Sequence, residues 1–134
     1  MEFFTLYHNM NPKKLIIHAK NAQNYAKAKY SNYPVGAALL TKEGLVVKGC
    51  NIESKAYPTT LCAERVAIFS AIAQGFNNFK ALALITNDGA FPCGSCRQII
   101  YEYTDNILMY IGQNNDKKIL EVYINDLLPN PFGK

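Results

Sequence analysis

Three cysteines and one glutamate have the residue types and spacing to hold a metal and move a proton. In TLCAERVAIF, residues 60–69, Cys62 stands two positions before Glu64 and three before Arg65, at the front of an apolar run. In PCGSCRQII, residues 92–100, Cys93 and Cys96 bracket Gly94 and Ser95. That spacing lets two thiolates meet one ion, and Gly94 removes the Cβ that would crowd the turn. Each segment reads as the opening of a helix, where free backbone N–H groups and the helix dipole favour thiolate over thiol. Two such helices with their N-termini side by side would converge Cys62, Cys93 and Cys96 on one point.

Three thiolates leave a tetrahedral zinc one open position, the arrangement of a catalytic site with bound water. Three anionic sulfurs also overcompensate a divalent ion, which makes such a water harder to ionise. Arg65, one helical turn after Cys62, can face the same site and offset that charge by hydrogen-bonding to sulfur. Arg97, directly after Cys96, is the other candidate. Glu64 points away from the Cys62 thiolate but stays in the first turn. A carboxylate there can reach the water without ligating the metal, as general base and then general acid.

Two other readings use the same residues. With Cys50 as a fourth ligand the site would be closed and structural; otherwise Cys50 is a small buried hydrophobe. A redox pair of Cys93 and Cys96 would leave Cys62 and Glu64 without a role. His8 and His18 lie far upstream and read as surface or satisfied histidines.

The elements that must position these side chains follow from the hydrophobic pattern. From Lys13 to about Lys29, Leu15, Ile16, Ala19, Ala22 and Ala26 form one apolar stripe of a helix. VGAALLT and LVVKGCNI flank the tight turn KEG, so they read as a hairpin. Residues 61–74 read as an apolar helix stopped by Gly75, KALALIT as a strand buried on both faces, and residues 94–103 as a second cysteine-bearing helix. NILMYIG and KILEVYI are strands around QNNDK, and a short helical turn precedes the Pro-rich tail. The order α-ββ-α-β-α-β-β-α predicts an α/β chain, a five-stranded mixed sheet covered by helices on both faces. The last two strands have too short a connection for a parallel crossover, so they pair antiparallel.

Composition limits what the chain can be. Its 134 residues suit one domain, a core from residue 13 to 134 with a loosely attached arm at residues 1–12 whose FFTLY cluster could pack on the body or on another subunit. Hydrophobic residues make up 49%, enough for a real core. The formal charge of +4 is spread without a like-charge run, so no nucleic-acid tail is read. No apolar run approaches the roughly 18 residues of a membrane span. The opening MEFFTLYHNMNPKK lacks the basic and long apolar regions of a signal peptide. A cytoplasmic location is expected, where the cysteines stay reduced and serve metal or catalysis rather than disulfides.

With these residues in place, CAER followed by PCGSCRQ resembles the zinc-dependent cytidine deaminases, specifically the small homotetrameric class with three cysteine ligands. The signature is a metal ligand, one residue, glutamate, then Pro-Cys-x-x-Cys. YSNYPVGAAL, GCNIE, AY, CAERVAIFSAIAQG, PCGSCRQ and LLPNPF all fall in the family's order. The resemblance implies a three-layer α/β/α cytidine-deaminase fold. It also implies one zinc per subunit held by Cys62, Cys93 and Cys96, with Glu64 as proton shuttle. The implied reaction is attack of zinc-bound hydroxide on C4 of cytidine or 2′-deoxycytidine, giving uridine or 2′-deoxyuridine and ammonia, a step of pyrimidine salvage. Asn51 and Glu53 would hydrogen-bond the ribose 3′-hydroxyl, and the Ala63 backbone would contact the base. Tyr33 stands where the family usually has phenylalanine; tyrosine keeps the ring that stacks on the pyrimidine. Tyr57 and Phe132 resemble aromatics that reach a neighbouring subunit's site in a homotetramer, with plain packing as the alternative.

Three rival functions are open at this level. An editor of nucleic acid needs a basic groove with aromatic platforms, and none stands out. A deaminase of a nucleoside-like antibiotic such as blasticidin S shares the cysteine motifs but has no evident use for Asn51 and Glu53. A structural zinc module would bind metal through four thiolates, including Cys50.

Overall fold

Asn11 starts the first helix. Its side-chain Oδ1 accepts from the Lys14 amide, and Pro12, which has no N–H to leave unpaired, takes the first helical position. The computed structural model describes residues 9–133, so the FFTLY cluster and His8 lie outside the described residues. Helix α1 (Pro12–Gln23) is followed by β1 (Gly36–Thr41), β2 (Val46–Cys50), a 3-10 turn (Tyr57–Thr59), α2 (Ala63–Ala73), β3 (Phe79–Thr86), α3 (Gly94–Tyr103), β4 (Leu108–Gln113), β5 (Leu120–Tyr123) and α4 (Ile124–Leu127).

The strands form one sheet in the order β2-β1-β3-β4-β5. β1 runs antiparallel to both β2 and β3, β3 pairs parallel with β4, and β4 pairs antiparallel with β5. The mixed sheet and the antiparallel last pair are as expected from the sequence. The alternation of side chains along a strand divides the core in two. Ala37, Leu39, Leu82, Leu84, Met109 and Ile111 pack with α2 and α3 on one face. Ala38, Leu40, Ala81, Ala83 and Ile85 meet Leu15 and Ala19 of α1 on the other.

One boundary is corrected. The stripe through Ala26 predicts a first helix reaching Lys29, but α1 ends at Gln23. Past it, the Lys27 amide donates to the Asn51 carbonyl at 2.9 Å and the Lys27 carbonyl accepts from the Glu53 amide at 2.9 Å. This long-range pairing takes the backbone groups that a continuing helix would use. The chain is thereby laid against the end of β2, and the 30–35 loop is delivered beside it. α2 ends as its sequence predicts: Gly75 adopts φ 92°, and the amides of Gly75 and Phe76 bond back to the carbonyls of Ile72 and Ala71.

Candidate active site

The two helices that carry the cysteines, α2 and α3, lie on the same face of the sheet with their N-termini together. Cys62 is the residue before α2, Cys93 the residue before α3, and Cys96 lies in the first turn of α3. No side chain caps either N-terminus, so the free amides of both first turns bias this point towards negative charge. The three sulfurs lie within 4.8 Å of one another, and Cys62 Sγ is 4.0 Å from Cys93 Sγ. Among the described residues this is the group of side chains that could hold a metal, and Cys50 is not part of it. Cys50 lies at the end of β2 beside Ala22, Tyr25 and Val66 instead.

The electrostatics suit a cation among the sulfurs. Cys62 is pushed down to about 5 by a hydrogen bond from Cys96 and then by Arg65. Cys96 moves upward, because it donates to Cys62, is buried, and faces the charges of Glu64 and Cys62. Three sulfurs this close can all be anionic only with positive charge between them, and three sulfur donors with no fourth protein ligand suit zinc with one exchangeable position. Arg65 donates from Nη2 to Cys62 Sγ at 3.5 Å and to the Thr60 carbonyl at 3.4 Å. Its Nε is buried without a hydrogen-bond partner. Arg97, the other candidate for that position, does not take it. It donates to the carbonyls of Pro92 at 2.7 Å and Leu127 at 3.0 Å, tying α3 to the C-terminal segment.

Glu64 is 3% exposed, and burial, followed by the charge on Cys62, pushes its carboxyl up to about 7. It opens onto a cavity of about 370 Å³, within the range of small-molecule sites. It is lined by Cys62, Ala63, Glu64 and Cys93 at the starts of α2 and α3, and by Ser31, Tyr33, Val35, Asn51 and Glu53 from the 30–35 loop and just past the end of β2. Thr86, at the carboxyl end of β3, and Ala90, Phe91 and Pro92 beyond it line it as well. The lining carries two acidic side chains and no lysine or arginine.

Asn51 is buried, and its amide is already engaged. Oδ1 accepts from the Val35 amide at 2.9 Å, and Nδ2 donates to the Tyr33 carbonyl at 2.9 Å. Glu53 accepts from the amides of Tyr30 and Ser31, each at 3.0 Å, and from the Ser31 hydroxyl, which together lower its pKa. These two residues thus hold the 30–35 loop as well as facing the cavity. The Tyr33 hydroxyl donates to Asp88 Oδ1 at 2.5 Å.

Tyr57 and Phe132 do not line this cavity. They are 73% and 84% exposed. Tyr57 packs edge-on against Tyr30, with ring centroids 6.4 Å apart. The Phe132 backbone is pinned to the Gln98 amide of α3.

Sequence reasoning missed Ser31, Thr86 and Asp88. Each is polar and lies on a loop or at a strand end, and none sits in a spacing that signals a partner.

Comparison with known proteins agrees with the geometry. A family model described as the cytidine and deoxycytidylate deaminase zinc-binding region matches residues 10–111. A cytidine deaminase of Sporosarcina psychrophila is 43% identical over 127 residues, 93% of each chain. The crystal structure of a cytidine deaminase from Burkholderia pseudomallei superposes with a TM-score of 0.86 at 39% identity, covering 92% of this chain and all of that one. A blasticidin-S deaminase of Bacillus cereus is 29% identical over 114 residues, 78% of this chain and 80% of its own length.

Proposed function

Because the chain belongs to the cytidine and deoxycytidylate deaminase family, we propose that residues 13–134 form a catalytic domain that deaminates cytidine and 2′-deoxycytidine, with Glu64 as the proton shuttle. It is an enzyme that uses zinc, and hydrolytic deamination of cytidine is its reaction class. Cys62, Cys93 and Cys96 would hold the zinc. When bound there, the metal supplies the Lewis acidity that makes water a nucleophile near neutral pH.

The observation that carries this reading is the buried carboxyl of Glu64 facing the cavity beside the three sulfurs. Glu64 takes the proton of the attacking water, delivers it to ring N3 as the C4–O bond forms, and then helps the amine leave as ammonia. The Ala63 backbone meets the base. The Tyr33 ring stacks on the pyrimidine. Asn51 and Glu53 face the ribose, each with hydrogen-bonding capacity left after its loop contacts.

The acidic lining favours an uncharged nucleoside over a nucleotide, since a phosphate near Glu53 would meet repulsion with no cation in the wall to offset it. The same Asn51 and Glu53 pair favours a ribose over an antibiotic lacking that sugar. The family resemblance points to a homotetramer in which Tyr57 and Phe132 reach a neighbour's site, and the exposure of both rings leaves them available for it. The cavity wall offers no lysine or arginine to a nucleic-acid backbone, which supports a free nucleoside. Among the described residues no helix is long and apolar enough to cross a membrane.

The test is the ultraviolet change on mixing zinc-loaded protein with cytidine, with blasticidin S in parallel and Glu64→Gln beside the parent. Conversion by the parent with a loss of at least ~10²-fold in the variant is expected. Near-normal turnover by Glu64→Gln would remove Glu64 from its role, and turnover of the antibiotic alone would reassign the substrate.

A further inference from the structure

The Tyr33–Asp88 hydrogen bond ties a residue that lines the cavity to one just outside it. Tyr33 belongs to the loop entering β1, and Asp88 to the loop leaving β3. These strands are neighbours, with Gly36 facing Ile85 across the ladder, so the two loops emerge side by side. Asp88 itself is exposed and does not line the cavity; Tyr33 does. Behind Asp88 the bonding continues: Thr86 Oγ1 donates to the same Asp88 Oδ1 at 3.3 Å and accepts from the Ala90 amide at 2.9 Å. Thr86 is buried. A hydroxyl donating to an ionised carboxylate at 2.5 Å is the short, charge-assisted kind of hydrogen bond.

We infer that Asp88 is a positioning residue for the substrate ring site: it anchors the far end of Tyr33 and so fixes the aromatic ring against the cavity. A phenylalanine at this position would present the same ring held only at its Cα end, free to swing about two side-chain torsions. The anchored tyrosine is arranged before substrate arrives, so less ordering remains to be done on binding. The effect belongs in substrate affinity rather than in the chemical step, since the ring holds the base while Glu64 moves the proton. The inference rests on the deaminase reading for its assay.

The experiment is a double-mutant cycle on cytidine turnover with Asp88→Ala, Asp88→Asn, Tyr33→Phe and the double variant Tyr33→Phe/Asp88→Ala. Asp88→Ala should raise KM about three- to tenfold, the worth of one such hydrogen bond, with kcat within about twofold of the parent. In the Tyr33→Phe background the same substitution should do nothing further. Asp88→Asn, whose amide oxygen still accepts from the hydroxyl, should recover most of the loss. An equal effect of Asp88→Ala in both backgrounds, or an unchanged KM in the parent background, overturns the inference. A parent protein inactive on cytidine would instead overturn the functional reading itself. Asp88 is exposed, so its variants should fold, and thermal unfolding of each checks this.

Discussion

Gly49 on β2 lies so close to α2 that a Cβ built on it would sit 2.4 Å from the Ala63 carbonyl oxygen and 2.5 Å from the Ala67 amide. Ala63 is the residue between Cys62 and Glu64. The height of α2 above the sheet, and with it the position of one sulfur and of the carboxyl, therefore depends on the missing side chain of a strand residue. Gly36 does the same for α1, where a Cβ would meet the Ala19 carbonyl oxygen at 1.9 Å.

Substituting Gly49→Ala should push α2 outward. Overpacking against backbone that cannot rotate away costs about 1–3 kcal/mol or more, and here the strain falls on the metal site. We expect a lower melting temperature together with reduced zinc per protomer and reduced activity. A variant that melts earlier but keeps full zinc and full turnover would show that α2 moves without carrying Cys62 with it.

Arg65 should matter through charge. It donates to Cys62 Sγ and does not itself line the cavity. Arg65→Ala leaves the sulfur cluster one positive neighbour short. Loss of such a supporting partner typically costs about 10–100-fold in metal affinity or activity. Chelator competition for zinc, alongside kcat, should register the loss. Arg65→Lys should recover part of it, as a point charge without the planar fork. Zinc affinity and kcat both unchanged in Arg65→Ala would mean that the three sulfurs need no added positive charge.

The parts of the site that were legible in the sequence are those whose cause is local. Cys93 and Cys96 flank a glycine at a helix start, and α3 spans Gly94–Tyr103 as read. Cys62 and Glu64 open α2 in the same way. The hydrophobic periods also place all five strands. What was not legible depends on residues far apart in the chain. Ala26 continues the helical spacing of α1, yet the backbone of Lys27 is claimed by Asn51 and Glu53. Gly49 reads as a weak strand position, and the reason for it lies on a helix across the sheet. Tyr33 and Asp88 share a hydrogen bond across a sequence separation of 55, and nothing near either residue announces the other. Arg97 sits as close to a cysteine as Arg65 does, and only the fold shows which of them meets a sulfur.

The metal count provides the sharpest separation of a working site from a structural one. Cys50 belongs to the end of β2, in a different hollow from the sulfur group, and burial raises its thiol pKa. The three sulfurs that lie within 4.8 Å of one another are those of Cys62, Cys93 and Cys96, and Cys50 is not among them. Cys50→Ala should therefore keep one zinc per protomer, with stability lowered only by the loss of a half-buried side chain. Cys96→Ala removes the fully buried member of the group and leaves two sulfurs, too few to hold zinc against a chelator. Elemental analysis after dialysis against a mild chelator reads both variants at once. Zinc lost from Cys50→Ala would close the site with four thiolates and leave no position for water, and the hydrolytic reading would fail with it. Zinc kept by Cys50→Ala and lost by Cys96→Ala leaves the fourth coordination position to solvent, next to the carboxyl of Glu64.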